Sequence, residues 1–200
     1  MFAAEEGESR TQMLEAALAA AQAQIRHLES LIETDALLDI LNRRGFEREL
    51  KRAISRVARY DGSAAIVFID LDHFKSINDK FGHLAGDTAL QAVTETILKN
   101  CRNSDVVARF GGDEFAVLLW NLCEEDARTK ARSFETKIES LRIQLATDCV
   151  SVGASAGLTM LQASDSPSQI ITRADADMYS RKMSKNAAPR YQLAALPAAS

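Results

Sequence analysis

Carboxylates stand beside apolar segments at two places in this chain of 200 residues. Asp70 lies near the end of SAAIVFIDLDHF, a run of apolar and branched residues that predicts a central buried strand. Asp113–Glu114 follows two glycines in RFGGDEFAVLL. The segments around these glycines, Val106–Phe110 and Glu114–Trp120, have the spacing of a β-hairpin with a glycine-led turn. The patterns therefore predict acids at the end of one strand and at the tip of a hairpin.

If the strand and the hairpin pair, the carboxylate of Asp70 lies beside those of Asp113 and Glu114. Acids gathered at the edge of an apolar sheet repel one another and lose hydration, unless cations bind between them. Oxygen ligands of this kind suit Mg²⁺ or Mn²⁺, which bridge carboxylates to substrate phosphates. The glycines also leave room for a nucleotide to approach the backbone. The alternative is a plain hairpin with an exposed acidic turn, since Gly and Asp are ordinary turn residues.

The surrounding elements alternate between helix and strand. Apolar periodicity predicts helices within Thr34–Arg59 and Lys75–Gly86 and over Asp87–Lys99, Glu124–Leu145 and Ser166–Met183. The alternating segment CVSVGASAGLTM, residues 149–160, predicts a further strand. This order predicts an α/β (α+β) sandwich that is ferredoxin-like or close to it, with a mixed central sheet covered by helices.

The N-terminal residues have a different pattern. No Gly or Pro occurs from Thr11 to Glu33, and apolar residues recur at spacings of four and three, namely Leu14, Leu18, Ala21, Ile25, Leu28 and Ile32. This seam predicts a helix in residues 1–33 that dimerises as a coiled coil. The alternative is one amphipathic helix packed on its own domain, because three heptads are near the minimum for a coiled coil. The domain itself is expected over 34–186, and the Ala- and Pro-rich residues 187–200 are expected to form a flexible tail.

The composition excludes few functions. The formal net charge of −4 argues against binding to nucleic-acid backbones. The longest apolar run, Ala64–Ile69, is far shorter than the roughly 20 residues that span a bilayer. We therefore expect a cytoplasmic protein that binds neither membrane nor nucleic acid. The three cysteines lack the spacing of a disulfide framework or a zinc site and are expected to be reduced and mostly buried.

Two motifs together carry a resemblance to a known family. GGDEF at Gly111–Phe115, preceded by RF, and FIDLDHFKSINDKFGHLAGD at Phe68–Asp87 resemble the GGDEF domain of bacterial diguanylate cyclases. The resemblance covers roughly Thr34–Asn186. It implies a palm-like fold and the condensation of two GTP molecules into cyclic di-GMP, with release of two pyrophosphates. It also implies a homodimer, since one domain binds one GTP and two domains must face each other.

The resemblance also implies roles for individual residues. Two Mg²⁺ or Mn²⁺ ions would be held by Asp70, the Leu71 carbonyl, Asp113 and Glu114, and Asp113 would help to deprotonate the 3′-hydroxyl. Together with Lys75, the two acids Asp113 and Glu114 form the catalytic set that the family implies. The implied substrate-binding residues are Phe74, Lys75, Asn78, His83, Asp87, Gly111, Gly112 and Lys182.

Within this set, Phe74, Lys75 and Lys182 would contact the phosphates, while Asn78 and Asp87 would read guanine. A carboxylate that accepts from the guanine N–H donors rejects adenine by leaving buried groups unpaired. His83 lies in the same loop, and its alternative is a structural histidine beside Phe81.

A product-inhibition site is implied by RNSD, in which Arg102 and Asp105 would bind cyclic di-GMP. A surface ion pair is the alternative for these two residues.

Two segments depart from the family's pattern. The usual TDxLTGLxNRR reads TDALLDILNRR, with Leu38 and Asp39 in place of Thr and Gly. The usual AKxxGRN reads RKMSKNA, so Lys182 aligns while the arginine does not. Phosphate binding would then be weaker, unless Lys185 compensates.

Three classes of function stay open from the sequence: a diguanylate cyclase, a catalytically silent receptor for cyclic di-GMP or GTP, and a structural dimerisation module. The intact acids favour the enzyme. No sensory domain is expected in the remaining residues, so we expect control by dimerisation, by an upstream regulatory protein or by product.

Overall fold

The computed structural model describes residues 13–15, 17–22, 24, 33–60, 62–145 and 148–185. The chain divides into two compact units, Met1–Glu33 and Thr34–Ser200. In the first unit the described residues within 13–24 are helical and exposed, and Glu33 is non-helical and half-buried. Part of the predicted coiled-coil seam, Ile25, Leu28 and Ile32, lies outside the described residues, as does the predicted tail. The coiled coil therefore stays a prediction.

A mixed five-stranded sheet forms the centre of the second unit, with the strand order β1-β3-β4-β2-β7 among the described residues. A separate pair, β5-β6, lies outside it. The strands are β1 Leu41–Asn42, β2 Ala64–Asp72, β3 Val106–Arg109, β4 Glu114–Trp120, β5 Ile143–Gln144, β6 Cys149–Val150 and β7 Gly153–Met160. β1 pairs in parallel with β3, and the other pairs are antiparallel.

Helices cover both faces of this sheet, as the sequence predicts. They are α1 Arg43–Arg59, α2 Phe74–Phe81, α3 His83–Lys99, α4 Glu124–Glu139 and α5 Pro167–Lys185. Side chains alternate between the faces of β2 because successive residues of a strand point in opposite directions. Ala65, Val67, Ile69 and Leu71 join the apolar layer that includes residues of α3 and α4. Ala64, Ile66 and Phe68 join the layer that includes residues of α1 and α5.

Two predicted boundaries differ from the structure. The predicted strand over residues 149–160 is interrupted at Ser151–Val152, because β6 pairs with β5 whereas β7 pairs with β2. The predicted helix Glu124–Leu145 ends at Glu139. Beyond it, Ile143 is buried and pairs with Val150 in the β5–β6 ladder, which a continued helix would prevent.

The expectation that the cysteines are mostly buried holds for Cys149 and in part for Cys101, and it is wrong for Cys123. Cys149 is buried and Cys101 is half-buried, but Cys123 is exposed at the start of α4, where its Sγ accepts from the Asp126 N–H. Burial raises the pKa of the Cys101 thiol to about 12. Within the described ranges, no helix has an apolar stretch long enough to cross a bilayer.

Candidate active site

The pairing of β2 with β4 brings two of the predicted acids together. Asp70 stands opposite Glu114 in the antiparallel register. Asp70 is buried and Glu114 is half-buried. Just beyond this pair, the Leu71 N–H donates a hydrogen bond of 3.1 Å to the Asp113 carbonyl. The glycine turn is therefore fastened to the end of the central strand, and its acids lie at the same edge of the sheet as Asp70.

Arg109 fixes the shape of this turn. Its Nε atom donates to the Gly111 carbonyl at 3.0 Å, and its Nη2 atom donates to the Gly112 carbonyl at 2.7 Å. Its Nη1 atom lies 3.2 Å from Oδ2 of Asp35. Neither Arg109 nor Asp35 was predicted as a site residue from the sequence. The available signal was the arginine directly before FGGDEF and the TD pair at the start of the domain.

The two glycines of the turn, Gly111 and Gly112, have different surroundings. A Cβ atom on Gly111 would lie 2.6 Å from Glu114 Oε2, so glycine leaves the room that the Glu114 carboxylate occupies. A Cβ atom on Gly112 would meet no atom within 4 Å. Only the second glycine therefore faces open space into which a ligand fits without moving the chain.

Helix α5 carries Lys182 to the acids. Three residues at spacings of four, Ile170, Ala174 and Met178, are buried against the sheet. Lys182 continues this row by one more turn, since residues four apart share a helix face. On β2, Asp70 likewise follows the apolar residues Ala64, Ile66 and Phe68 on the same face of the strand. The Lys182 Nζ atom lies 2.5 Å from Asp70 Oδ1. The lysine thus meets the acid where both apolar rows end.

Gly157 on β7 permits the close approach of α5. A Cβ atom at this position would overlap backbone atoms of Met178 and Ala174. No side chain separates strand and helix here, so the height of α5 above the sheet is set by main-chain contact.

The burial of Asp70 raises the pKa of its carboxyl group above the ordinary value. The hydrogen bond and charge of Lys182 oppose this effect, while the charges of Asp113 and Asp72 add to it. The carboxylates therefore remain mutually unfavourable even with one lysine present.

Burial and neighbouring charges also shift the pKa values of Glu114 and Lys182. Burial and the charges of Asp70, Asp113 and Asp175 raise the pKa of Glu114, against a smaller opposing effect of Lys182. Burial lowers the pKa of Lys182, but the hydrogen bond and charge of Asp70 outweigh it, so the net pKa is raised. Lys182 is therefore charged at neutral pH.

These donors fit a divalent cation by their chemistry. Asp70, Asp113 and Glu114 offer hard oxygen ligands that interact as like charges, which is the donor set that Mg²⁺ or Mn²⁺ stabilises. In the part of the chain that the structure describes, no three His, Cys, Asp or Glu side chains are already gathered to hold a metal. Lys182 neutralises Asp70 in this arrangement.

The predicted guanine-reading residues lie on neighbouring helices, near the place where α2 packs against α3. Asn78 on α2 lies against Gly86 of α3, where a Cβ atom would overlap the Asn78 amide oxygen. Gly86 precedes Asp87, which is half-buried. The close packing of the helices thus brings Asn78 to the turn of α3 that carries Asp87.

The other predicted substrate residues differ in exposure. Lys75 and His83 are exposed, which does not fit the alternative of a packed structural histidine at position 83. Phe74 is 7% exposed and belongs to the apolar core. Its ring is therefore unavailable to a ligand, and only its backbone at the start of α2 remains for phosphate contact.

The side chain of Lys185 is bonded to residues other than the site's acids. Its Nζ atom lies 3.1 Å from a Glu135 carboxylate oxygen and 3.2 Å from one of Glu139, both on α4. It also donates to the carbonyl of Ala154. This lysine fastens the end of α5 to α4, which leaves Lys182 as the site's cation on this helix.

The RNSD segment lies beside a separate cavity of about 290 Å³, lined in part by Arg102, Asp105 and Lys130. Asp105 accepts from the backbone N–H of Arg102 at 2.8 Å and from that of Trp120 at 3.4 Å. Among the described residues the carboxylate of Asp105 forms no ion pair with the Arg102 guanidinium, which argues against the surface ion pair.

The family model described as "Diguanylate cyclase, GGDEF domain" matches residues 32–188. The chain belongs to the GGDEF domain family. Diguanylate cyclase DgcP of Pseudomonas aeruginosa is 34% identical over 149 residues, which are 74% of this chain and 22% of DgcP. The chain thus spans only part of the length of this relative.

Solved GGDEF domains share the fold. One from TpbB (YfiN) of Pseudomonas aeruginosa is 38% identical, with a TM-score of 0.71 over 76% of this chain and 89% of that one. Diguanylate cyclase SiaD of the same organism, solved with its activator SiaC, is 29% identical. Its TM-score is 0.73 over 90% of this chain and 71% of SiaD. The GGDEF resemblance and the predicted fold are therefore confirmed.

Proposed function

We propose that this GGDEF domain is a diguanylate cyclase that condenses two GTP molecules into cyclic di-GMP and two pyrophosphates. The observation that carries the proposal is the set of acids formed by Asp70 and Glu114 in register, with Asp113 in the adjoining turn and Lys182 above them. A plain acidic turn has no need of a buried carboxylate on the central strand, because burial of that group costs free energy.

The proposed roles follow from charge and position. Lys182 and Lys75 bind the triphosphate, and Asn78 and Asp87 read guanine. Asp113 takes up the proton of the attacking 3′-hydroxyl. Mg²⁺ or Mn²⁺ held by Asp70, the Leu71 carbonyl, Asp113 and Glu114 would supply Lewis acidity and charge neutralisation.

The reaction needs a second copy of the domain. One domain offers one set of these residues, so the 3′-hydroxyl of each GTP attacks the α-phosphate of the GTP held by the partner. The predicted N-terminal coiled coil would raise the effective concentration of the two half-sites. By analogy with SiaD and its activator SiaC, an upstream protein would act on this assembly.

The test is incubation of the purified chain with GTP and either Mg²⁺ or Mn²⁺, followed by chromatographic separation of the nucleotides. We expect cyclic di-GMP, formed at a rate that rises more than linearly with protein concentration. Asp113→Ala should abolish synthesis while the thermal unfolding transition is retained, because residue 113 lies in a turn. Activity retained by this variant would contradict the assignment of Asp113. GTP binding by the wild type without product at any protein concentration would instead favour the silent receptor.

A further inference from the structure

A second buried carboxylate stands beside the site without a role in the reaction described above. Asp72 is the last residue of β2 and lies on the same face of the strand as Asp70, since the two are separated by one residue. It is 8% exposed. Its Oδ1 atom accepts a 2.8 Å hydrogen bond from the hydroxyl of Ser155, which is fully buried.

The position of Ser155 links the two acids. Ser155 on β7 is the register partner of Asp70, and its hydroxyl reaches along the sheet to Asp72. A buried carboxylate is costly unless it is hydrogen-bonded and paired with a cation. Ser155 supplies the hydrogen bond. Lys182 is a cation on this face, since it bonds to Asp70 two residues before Asp72, and the charge of Asp72 adds to the rise in the pKa of Lys182.

Lys182 and a bound divalent cation would compete for the carboxylate of Asp70. Its ammonium group is bonded to Asp70 Oδ1, and that carboxylate is the one proposed to hold a divalent cation. A lysine displaced from Asp70 would swing into water, since the side chain is long and 39% exposed. A second fixed negative charge on the same strand face would keep the ammonium group over the phosphates.

We propose that Asp72, held by Ser155, is a positioning residue that retains Lys182 over the site when the carboxylate of Asp70 is engaged. This inference rests on the proposed function and adds a residue outside the metal-binding and guanine-reading sets. Asp72 acts through Lys182 and contacts neither the nucleotide nor the cation.

The test is calorimetric binding of the non-reactive analogue α,β-methylene-GTP, with Mg²⁺, to four chains: wild type, Asp72→Asn, Lys182→Met and the double variant. Asparagine keeps the oxygen that accepts from Ser155 and removes only the charge. We expect Asp72→Asn to weaken binding about tenfold in the wild-type background, as for loss of one charge-assisted contact. In the Lys182→Met background the same change should alter binding less than about twofold, because the two residues act as one unit.

Two hydroxyl deletions on β7 provide a second comparison that leaves the charge of Asp72 in place. Ser155→Ala should weaken analogue binding about threefold, whereas Thr159→Val, which removes another buried hydroxyl from the same strand, should not. Equal losses from Asp72→Asn in both lysine backgrounds, or wild-type affinity in Asp72→Asn, would overturn the inference while leaving the cyclase proposal intact. Failure of the wild type to bind the analogue would overturn the proposed function and this inference with it.

Discussion

Arg109 and Asp35 join the glycine turn to a residue 74 positions earlier in the chain, through an Nη1–Oδ2 contact of 3.2 Å. Both side chains are largely buried, at 19% and 18% exposure. Asp35 has a second task, because its Oδ1 atom accepts from the backbone N–H groups of Leu37 and Leu38. The same carboxylate thus shapes the entry to the domain and steadies the arginine that holds the turn.

Asp35→Asn separates these tasks, since asparagine keeps Oδ1 as an acceptor and replaces the oxygen that faces Arg109. We expect cyclic di-GMP synthesis to fall about tenfold with the fold retained, because a looser turn no longer holds Asp113 in position. Initial rates measure the effect. Glu124→Gln, which breaks an exposed ion pair with Arg128 on α4, is the control and should leave the rate unchanged. Equal rates in the two variants would show that the Arg109 contact is not needed.

Gly86→Ala should weaken GTP binding without unfolding the domain. The added methyl group would overlap the Asn78 amide group, which must move away, and would lie 3.2 Å from Cζ of the buried Phe74 ring. We expect the KM for GTP to rise about tenfold, as for the loss of one or two polar contacts to guanine. Alanine is the better helix former, which offsets the crowding against Phe74, so the melting temperature should change little. Gly62→Ala, whose methyl group would make only a 3.8 Å contact with the Tyr60 carbonyl, is the matched control. An unchanged KM in Gly86→Ala would argue against guanine reading by Asn78.

Arg102→Ala should relieve product inhibition. The arginine is exposed beside the cavity at RNSD, and its side chain is not paired with Asp105 among the described residues. We expect the cyclic di-GMP concentration for half-inhibition to rise more than about tenfold, since charge-assisted contacts to phosphate or guanine would be lost. The initial rate without product should stay at the wild-type value. Inhibition that is identical in both proteins would assign this cavity no part in feedback.

Asp39→Gly should stabilise the domain. Asp39 has a φ of +50°, in the left-handed region, where a side chain is unfavourable and glycine is not. We expect the free energy of unfolding to rise by about 0.5 kcal/mol, and that of Asp39→Ala to fall by a similar amount. Chemical denaturation of the three proteins measures both shifts. A decrease in both variants would mean that the Asp39 side chain stabilises this turn.

Asp165→Asn should reduce stability in a pH-dependent way. The Arg173 guanidinium holds the pKa of Asp165 below its ordinary value of 3.8 through two hydrogen bonds of 2.7 Å. A lowered folded-state pKa means that the carboxylate stabilises the fold above pH 3.8, and that this stabilisation is lost as the pH falls through the folded-state value. We expect a destabilisation of about 1 kcal/mol at pH 7, since Arg173 is partly exposed. Unfolding midpoints at several pH values measure the difference, which should shrink in acid. A difference that does not vary with pH would exclude the ion pair as its cause.

Local patterns were enough to predict the acids and their strands. The apolar run before Asp70 and the glycines before Asp113 each lie within a dozen residues, so periodicity and turn chemistry specify them. The contact of Lys182 with Asp70 spans 112 residues, and in the sequence only the family resemblance points to that lysine. Periodicity within one helix does not specify which strand it will meet.

Other features had no readable signal in one sequence. The alternation through residues 149–160 continues across Ser151–Val152, so the change of strand partner between β6 and β7 leaves no mark in the pattern. Lys185 looked suited to phosphate binding by its place near Lys182, but Glu135 and Glu139 on α4 attract it. Such competition depends on side chains brought together by the fold.

The contact of α5 with Gly157 bears on how this domain tolerates mutation. Main-chain atoms set the helix height at that point, and Lys182 follows Met178 by one turn of the same helix. A volume-conserving swap at a core position such as Ile170 can be accommodated by neighbouring rotamers while this main-chain contact stays in place. The apolar layer beside the site's acids can therefore change by swaps of similar volume, whereas replacement of a single hydrogen atom at Gly157 by a methyl group would push α5 away from the sheet and Lys182 away from Asp70.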